Sequence, residues 1–327
     1  MMIHPSLILF YGFLIFSVLL VVCAESWFMI WVGLEMNVMA FIPLILVKGN
    51  KYSGEAGVKY FLVQAFASVM IMSGLLLKSC SWVSMECLLA SGVLLKMGSA
   101  PFHQWLPSLV EGGSWGCLMV LFVVQKISPL VALSFLLKDG DYYVLVYVVI
   151  ICSTLAGSIG GLMTPSLRKI MAYSSISHLG WAISSLLVSS LTWAGYYFIY
   201  SLVLFSAVYL FNKEEAFSLN HLMLGDKKIR GLMSVSLLSL GGLPPFSGFV
   251  PKFLVSVGLL QCETYFIFVV LLSGTFLSLF FYMRMVLSGL LLSSGSSSLV
   301  SSSWGSPKGV WFNAAGVLMP SVLFFAL

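Results

Sequence analysis

Charge is what this sequence has least of. Asp, Glu, Lys and Arg together supply 8% of its 327 residues, against about 25% in an ordinary soluble domain. Too few polar groups are present to cover a water-facing surface. The chain also lacks the glycine-rich loops that hold phosphates: no G-x-G-x-x-G follows a strand and no G-x-x-x-x-G-K-[ST] occurs. Histidine pairs at haem-ligand spacing within a helix and acidic clusters for a metal are missing as well. The six cysteines, Cys23, Cys80, Cys87, Cys117, Cys152 and Cys262, are scattered and form no C-x-x-C. That spacing disfavours iron–sulfur and zinc sites and leaves them as small packing residues. By itself the chain can neither oxidise a nicotinamide nor hydrolyse ATP, so energy for any work must come from partners. The first apolar run, from about Ser6, has no basic leader and no small-residue cleavage site. It reads as a mature first helix and not as a signal peptide.

What fills the chain instead is apolar sequence. Hydrophobic residues make up 60%, the mean hydropathy is +1.06, and runs near 20 residues recur along the whole length, enough to cross a hydrocarbon core of roughly 30 Å. The expectation is an all-α integral membrane protein forming a single polytopic domain over 1–327, without an extramembrane domain. Eleven spans are expected, at about 6–24, 26–47, 57–77, 84–109, 115–137, 142–163, 170–189, 192–211, 231–261, 264–287 and 309–327. The fourth and ninth are long and interrupted by proline. Residues 293–309, rich in serine and glycine, read as a flexible connector before the last helix.

Loop charges fit this order. One set of loops holds Lys48, Lys51, Lys59, Arg168, Lys169, Lys213, Lys227, Lys228, Arg230 and Lys308, whereas the opposite loops hold Lys78 and Lys138. Such an asymmetry places the N-terminus on the cytoplasmic or matrix side and the C-terminus on the other. It also accounts for the net charge of +5 without a nucleic-acid partner. The lipid bilayer is the partner implied.

An internal repeat adds a second level of order. "APFHQWLP" at 100–107 realigns with "PPFSGFVP" at 244–251, pairing Pro101 with Pro245, Phe102 with Phe246, Trp105 with Phe249 and Pro107 with Pro251 at an offset of 144. The two segments lie five spans apart, so the second copy runs through the membrane inverted. Inverted repeats with broken helices mark transporter folds whose sites lie near the midplane. The halves run roughly 1–140 and 141–290, with the last helix outside them.

Four charged residues stand near the middle of spans: Glu35, Lys96, Lys126 and Lys252. A charge at a helix centre costs about 2.5–3.5 kcal/mol on insertion scales, and such residues persist when paired, hydrated or used. One carboxylate and three lysines suggest an interior polar track more than a single structural ion pair. A buried lysine can be switched between its charged and neutral forms by moving a partner or some water. Pro101 and Pro107 are expected to break the fourth span beside Lys96, and the "GGLPPFSGFVPKF" run to break the ninth beside Lys252. Backbone groups freed by such breaks are tolerated where they face protein or a wet cavity. Lys126, between Gln125 and Ser128 with Pro129 a turn later, reads as part of a locally loosened helix. His178 shares a helix face with Ser174, one turn before it, and with the adjoining Ser175, and could pass a proton between lysines. His103 and Glu111 read as interfacial, and Arg284, Lys59 and Lys169 as snorkelling anchors at span ends. Gly157 and Gly161 have the spacing of a helix-packing motif.

Five stretches together, "GLEMNVMAFIPL" (33–44), "LLKMGSAPFHQWLPSLVEG" (94–112), "QKISPL" (125–130), "RKIMAYSSISHLGW" (168–181) and "GGLPPFSGFVPKF" (241–253), closely resemble the mitochondrial chain 2 branch of the antiporter-like membrane subunits of respiratory complex I, the NADH:ubiquinone oxidoreductase. The likeness covers spans 2 to 9, in order. Bacterial members carry three additional N-terminal helices, and the 11 spans here resemble the shortened animal mitochondrial form. The resemblance implies a multi-pass protein of the mitochondrial inner membrane with its N-terminus on the matrix side. It implies a subunit of a proton-translocating NADH:ubiquinone reductase, in which other membrane subunits are partners. NADH, FMN, iron–sulfur clusters and ubiquinone would sit on other subunits, with no cofactor bound by this chain. In the implied relay, Glu35 would tune Lys96, Lys126 would connect half-channels, His178 would lie between, and Lys252 would exchange protons with the far side. Val124 stands where many relatives have an aromatic residue.

Two other readings use the same residues. An antiporter-like subunit of a cation/proton exchanger would share the fold and the buried lysines, although the "GLEMN…FIP" run favours complex I. A scaffold subunit would use the buried charges to fix helix register and bind neighbours. A metabolite carrier has no recognisable site here beyond the lysine track. The extreme hydrophobicity suggests synthesis close to the target membrane, as for an organelle-encoded chain.

Overall fold

In a bilayer every backbone N–H and C=O must be satisfied within the protein, and a helix does this within one segment. The computed structural model describes residues 5–46, 51–78, 86–139, 143–219, 221 and 227–291. Among these, regular structure is α-helical throughout, apart from one isolated bridge between Ser166 and Ser218. The helices are α1 (Pro5–Val22), α2 (Trp27–Leu46), α3 (Lys51–Lys78), α4 (Glu86–Met97), α5 (Trp105–Val110), α6 (Trp115–Phe122) and α7 (Val124–Asp139). They continue as α8 (Tyr143–Met163), α9 (Leu167–Val188), α10 (Ser190–Lys213), α11 (Lys227–Gly241), α12 (Phe249–Gln261) and α13 (Tyr265–Leu291). Six described stretches are long and apolar enough to cross a membrane, namely Trp27–Leu46, Lys51–Leu77, Trp115–Lys138, Tyr143–Met163, Ser190–Lys213 and Tyr265–Gly289. The eleventh expected span and the serine-rich connector lie outside the described residues.

Large apolar side chains face outward along these helices, among them Phe13 and Phe16 of α1, Leu62 and Val69 of α3, and Phe276 and Phe280 of α13. An exterior of that kind suits lipid and apolar neighbours. The chain is a multi-pass, all-α membrane protein.

Two compact units meet in sequence between Ser153 and Thr154, within α8. In the first, α4 lies between α3 and α7, and α2 packs on both α3 and α7. The contact of α3 with α4 is close because glycine lines it: a Cβ on Gly92 would come within 3.0 Å of the Ala67 carbonyl oxygen, and one on Gly74 within 2.8 Å of the Leu89 nitrogen. Small residues let membrane helices approach in this way. The last six residues of α4, Gly92 to Met97, are all buried.

The second unit is arranged around α9. All but a few of its side chains are buried, polar ones included, and α10, α12 and α13 pack on it. Gly157 and Gly161, at packing-motif spacing, serve two different neighbours. A Cβ on Gly157 would come within 2.5 Å of the Ser177 nitrogen on α9, whereas one on Gly161 would meet the Phe281 ring on α13 at 2.8 Å.

Arg284 is not a snorkelling anchor. Its guanidinium turns inward from α13 and donates to the carbonyls of Leu162 at 2.9 Å, Gly161 at 3.2 Å and Thr164 at 2.8 Å. These are the orphan acceptors at the C-terminal end of α8, and a cation there also meets the negative end of the helix dipole.

Candidate functional site

Both units contain a helix that stops in the interior and a second one that restarts after it, and the stop is made the same way each time. In the first unit Gly98, at φ +72°, ends α4. Its N–H donates to Leu95 O at 3.0 Å and the Ser99 N–H donates to Leu94 O at 3.2 Å. In the second, Gly242, at φ +80°, ends α11, with its own N–H donating to Ser239 O at 3.0 Å and the Leu243 N–H to Leu238 O at 3.5 Å. This is the Schellman closure, which needs a residue in the left-handed region, where glycine pays no Cβ penalty. Of the prolines expected to break these helices, Pro101, Pro244 and Pro245 come afterwards, in the non-helical segments leading to α5 and α12, while Pro107 and Pro251 lie in the first turns of α5 and α12 themselves. Gly98 and Gly242 stand 144 residues apart, as do the restarts at Trp105 and Phe249 (98 to 242, 105 to 249).

Lys96 sits in the last turn of α4, two residues before its closing glycine. Its ammonium donates to Glu35 Oε1 of α2 at 2.8 Å, with 2% of the lysine side chain and 24% of the glutamate exposed. Gln64 of α3 donates from its amide to the Lys96 carbonyl at 3.4 Å, occupying a helix-end acceptor. Lys126 is fully buried near the start of α7. There α6 gives way to α7 at Val123, and Pro129 has no N–H to offer the carbonyl of Gln125. Polar side chains line the same region. The Tyr60 hydroxyl donates to Gln125 Oε1 at 3.1 Å, and the Asn37 amide donates to Ser128 Oγ at 2.9 Å. The first unit therefore holds Glu35, Lys96 and Lys126 on α2, α4 and α7, with α2 and α4 each packed on α7, and with Asn37, Tyr60, Gln64, Gln125 and Ser128 as buried polar company.

In the second unit Lys252, on α12, reaches back to the end of α11 and donates to Leu240 O at 3.2 Å and Gly241 O at 2.8 Å. A cation placed there meets unpaired helix-end carbonyls and the negative end of the dipole. His178, in the middle of α9, is 7% exposed and is hydrogen-bonded through Nδ1 to the Tyr196 hydroxyl of α10 at 2.8 Å. Its ring lies 4.7 Å from that of Tyr200, one turn along α10. The serines on its own helix face are engaged locally: Ser174 donates to Met171 O and Ser175 to Ala172 O. A cavity of about 10 Å³ is lined by His178, Tyr196, Tyr200, Ser239, Gly248 and Lys252. On its wall Gly248 lies against the Ser239 carbonyl, where a Cβ would overlap.

Sequence reasoning singled out Glu35, Lys96, Lys126, His178 and Lys252. The structure brings Glu35 to Lys96 and puts His178 and Lys252 on one cavity. It leaves His103 half-buried and Glu111 exposed. The tyrosines of α10, Tyr60 and the amides of Asn37 and Gln64 were not anticipated, whereas Gln125 and Ser128 were noted beside Lys126. Tyr196 and Tyr200 are four apart, as facing helix residues are, but aromatic residues make up 14% of the chain, and spacing alone does not set these two apart from packing. Among the described residues, no three His, Cys, Asp or Glu side chains gather as a metal-ligand set.

Interrupted helices with buried lysines beside them are the geometry against which known proteins can be compared. Residues 24–83 and 75–278 match the family described as NADH:quinone oxidoreductase/Mrp antiporter, TM. The chain belongs to this family. Among relatives of the antiporter family, NADH-ubiquinone oxidoreductase chain 2 of Anopheles gambiae is 40% identical over 284 residues, covering 83% of this chain and 82% of that one. The chain 2 of Locusta migratoria is 35% identical over 295 residues, covering 87% and 85%. A chain of respiratory complex I from Thermus thermophilus, solved with bound aureothin, shares the fold at a TM-score of 0.81 and 22% identity, covering 99% of this chain and 78% of that one. A chain of the Mrp complex from a Dietzia species does so at 0.78 and 18%, covering 90% and 61%. The resemblance to complex I chain 2 read from the five motifs thus agrees with the named relatives, and the antiporter-like fold recurs in multi-subunit membrane complexes.

Proposed function

We propose that this chain is a proton-translocating, antiporter-like membrane subunit of complex I, and that Glu35, Lys96, Lys126, His178 and Lys252 carry the proton. Electron transfer from NADH to ubiquinone in partner subunits would drive it. The observation that carries the reading is the set of three buried lysines in a membrane protein, one of them held by a carboxylate at 2.8 Å. Paired with Glu35, the Lys96 ammonium is compensated. Parted from it, the lone buried charge would cost several kcal/mol, and passing the proton on removes that cost. A change at Glu35 is thereby converted into release of a proton from Lys96. Reading α4 with α5, and α11 with α12, as interrupted spans of an inverted repeat gives each half a polar break at membrane depth, and eleven spans in all. The N-terminus then faces the matrix.

The scaffold reading has one observation in its favour: Lys252 caps α11, as a purely structural lysine would. Reconstituted complex I carrying Lys96→Met separates the two readings. Normal assembly with lost pumping, or with turnover blocked along with it, supports the relay. Normal assembly with an unchanged proton yield per electron makes Lys96 a structural charge.

A further inference from the structure

Lys96 and Lys126 stand where their helices are least able to hold them. Lys96 is in the last turn of α4, before the closure at Gly98. Lys126 is in the first turn of α7, after the interruption at Val123, and Pro129 withholds the N–H that the helix would give to Gln125. End turns lack part of the hydrogen bonding that keeps a helix interior in place. A proton moves between groups held in a near-attack arrangement, and a misplacement of about 1 Å can slow a reaction about a hundredfold. Two loosened helix ends therefore need a hold from outside.

One face of α3 supplies it. Tyr60 and Gln64 are four residues apart, which puts them on the same face, about 6 Å apart along the axis. Gln64 gives an amide hydrogen to the Lys96 carbonyl at 3.4 Å, an acceptor in the terminal turn of α4. Tyr60 gives its hydroxyl hydrogen to Gln125 Oε1 at 3.1 Å, on the residue next to Lys126. Both side chains are buried. The Tyr60 ring packs edge-on against Phe41 of α2, at 5.1 Å between centroids, and against Trp105 at the start of α5, at 5.8 Å. A phenylalanine ring fills the same space, so what tyrosine adds here is the bond to Gln125. The Gln125 amide nitrogen has no hydrogen-bond partner among the described residues, so its side chain is steered by Tyr60. Ser128, three residues on and on the same face of α7, accepts from Asn37 of α2 at 2.9 Å. The start of α7 is thus tied at two adjoining points.

We propose that Tyr60 and Gln64 make α3 a strut that fixes the Lys96 end of α4 and the Lys126 end of α7 relative to each other. Both are positioning residues for proton passage between the two lysines, a role that rests on the relay reading above. Neither side chain gives up or takes the proton. Gln64 acts through the backbone of Lys96, and Tyr60 acts through Gln125.

The test is Tyr60→Phe in assembled, reconstituted complex I, which removes the hydroxyl and keeps the ring against Phe41 and Trp105. Coupled turnover is expected to fall about fivefold, the rate equivalent of one buried hydrogen bond. Its solvent isotope effect in D₂O should rise, because a proton-transfer step has been slowed. A mere loss of working complexes lowers turnover and leaves the isotope effect where it was. Unchanged turnover, or a fall with an unchanged isotope effect, overturns the proposal. Gln125→Met completes a double-mutant cycle with Tyr60→Phe. With the hydroxyl acting through Gln125, the double variant is no slower than Gln125→Met alone, and effects that multiply overturn the proposal. Gln64→Met keeps the side chain's length without its N–H and should reproduce both the fall and the raised isotope effect. Unchanged turnover in Gln64→Met overturns the proposal even if Tyr60→Phe fails to assemble. Lys96→Met separates the two levels of the argument. If Lys96→Met blocks pumping while Tyr60→Phe and Gln64→Met turn over normally, the strut alone falls; if all three variants pump normally, the relay falls with it.

Discussion

Lys96 and Lys252 meet the cost of burying an ammonium in different ways. Lys96 faces a carboxylate at 2.8 Å, whereas Lys252 faces two helix-end carbonyls. A carboxylate partner is itself a charge, so each member of that pair is exposed to the loss of the other. Glu35→Gln should therefore destabilise the chain by about 3 kcal/mol, the low end of the range for breaking a buried pair, because the glutamate keeps 24% of its side chain exposed. Glu35→Gln combined with Lys96→Met removes both charges and should recover part of that loss. Thermal dissociation midpoints of the assembled complex check this, and a double variant no more stable than the single one would contradict it. Glu35, Lys96, Lys126 and Lys252 could be picked out from sequence because a charge inside an apolar run is conspicuous without any structure. Tyr196, Tyr200 and Gln64 could not, since their significance depends on which atom they meet across a helix contact.

At the level of elements, the helix breaks were legible and their cause was only partly so. The prolines of 101–107 and 244–251 drew attention to the right segments. The stops themselves are glycine closures, signalled by a glycine a few residues ahead of a proline in "KMGSAP" and "LGGLPP", the usual order at a helix C-terminus. The two glycines differ in what surrounds them. A Cβ on Gly98 would press on Trp105 and Leu106 side chains at 3.0 and 3.1 Å, while one on Gly242 would meet the Lys252 side chain at 2.9 Å from Cδ and 3.0 Å from Nζ. Either alanine substitution should cost about 1–2 kcal/mol for the left-handed backbone. Gly242→Ala should in addition displace Lys252 and lower the proton yield per NADH more than Gly98→Ala does. Equal yields from the two assembled variants would show that the hold on Lys252 does not depend on this contact. Arg284 was misjudged from sequence because a position near a span end cannot reveal whether the chain of another helix ends beside it.

For the molecule as a whole, hydropathy disclosed the all-helical membrane class because the bilayer leaves few alternatives, and loop charges supplied an orientation. That orientation predicts labelling from opposite sides. A cysteine in place of Lys51, exposed at the start of α3, should react with a membrane-impermeant thiol reagent from the matrix face. One in place of Lys138, exposed at the end of α7, should react from the other face. Labelling of both from one face would refute the topology. The matched breaks carry a further consequence. At the 144-residue spacing Lys96 corresponds to Leu240, and Leu240 is a residue whose carbonyl Lys252 reaches. The first half thus brings its charge to that station with the residue's own side chain, and the second with a lysine borrowed from the helix that follows. What the two breaks share is the gap in the helix; the lysine reaches it from a different position in each.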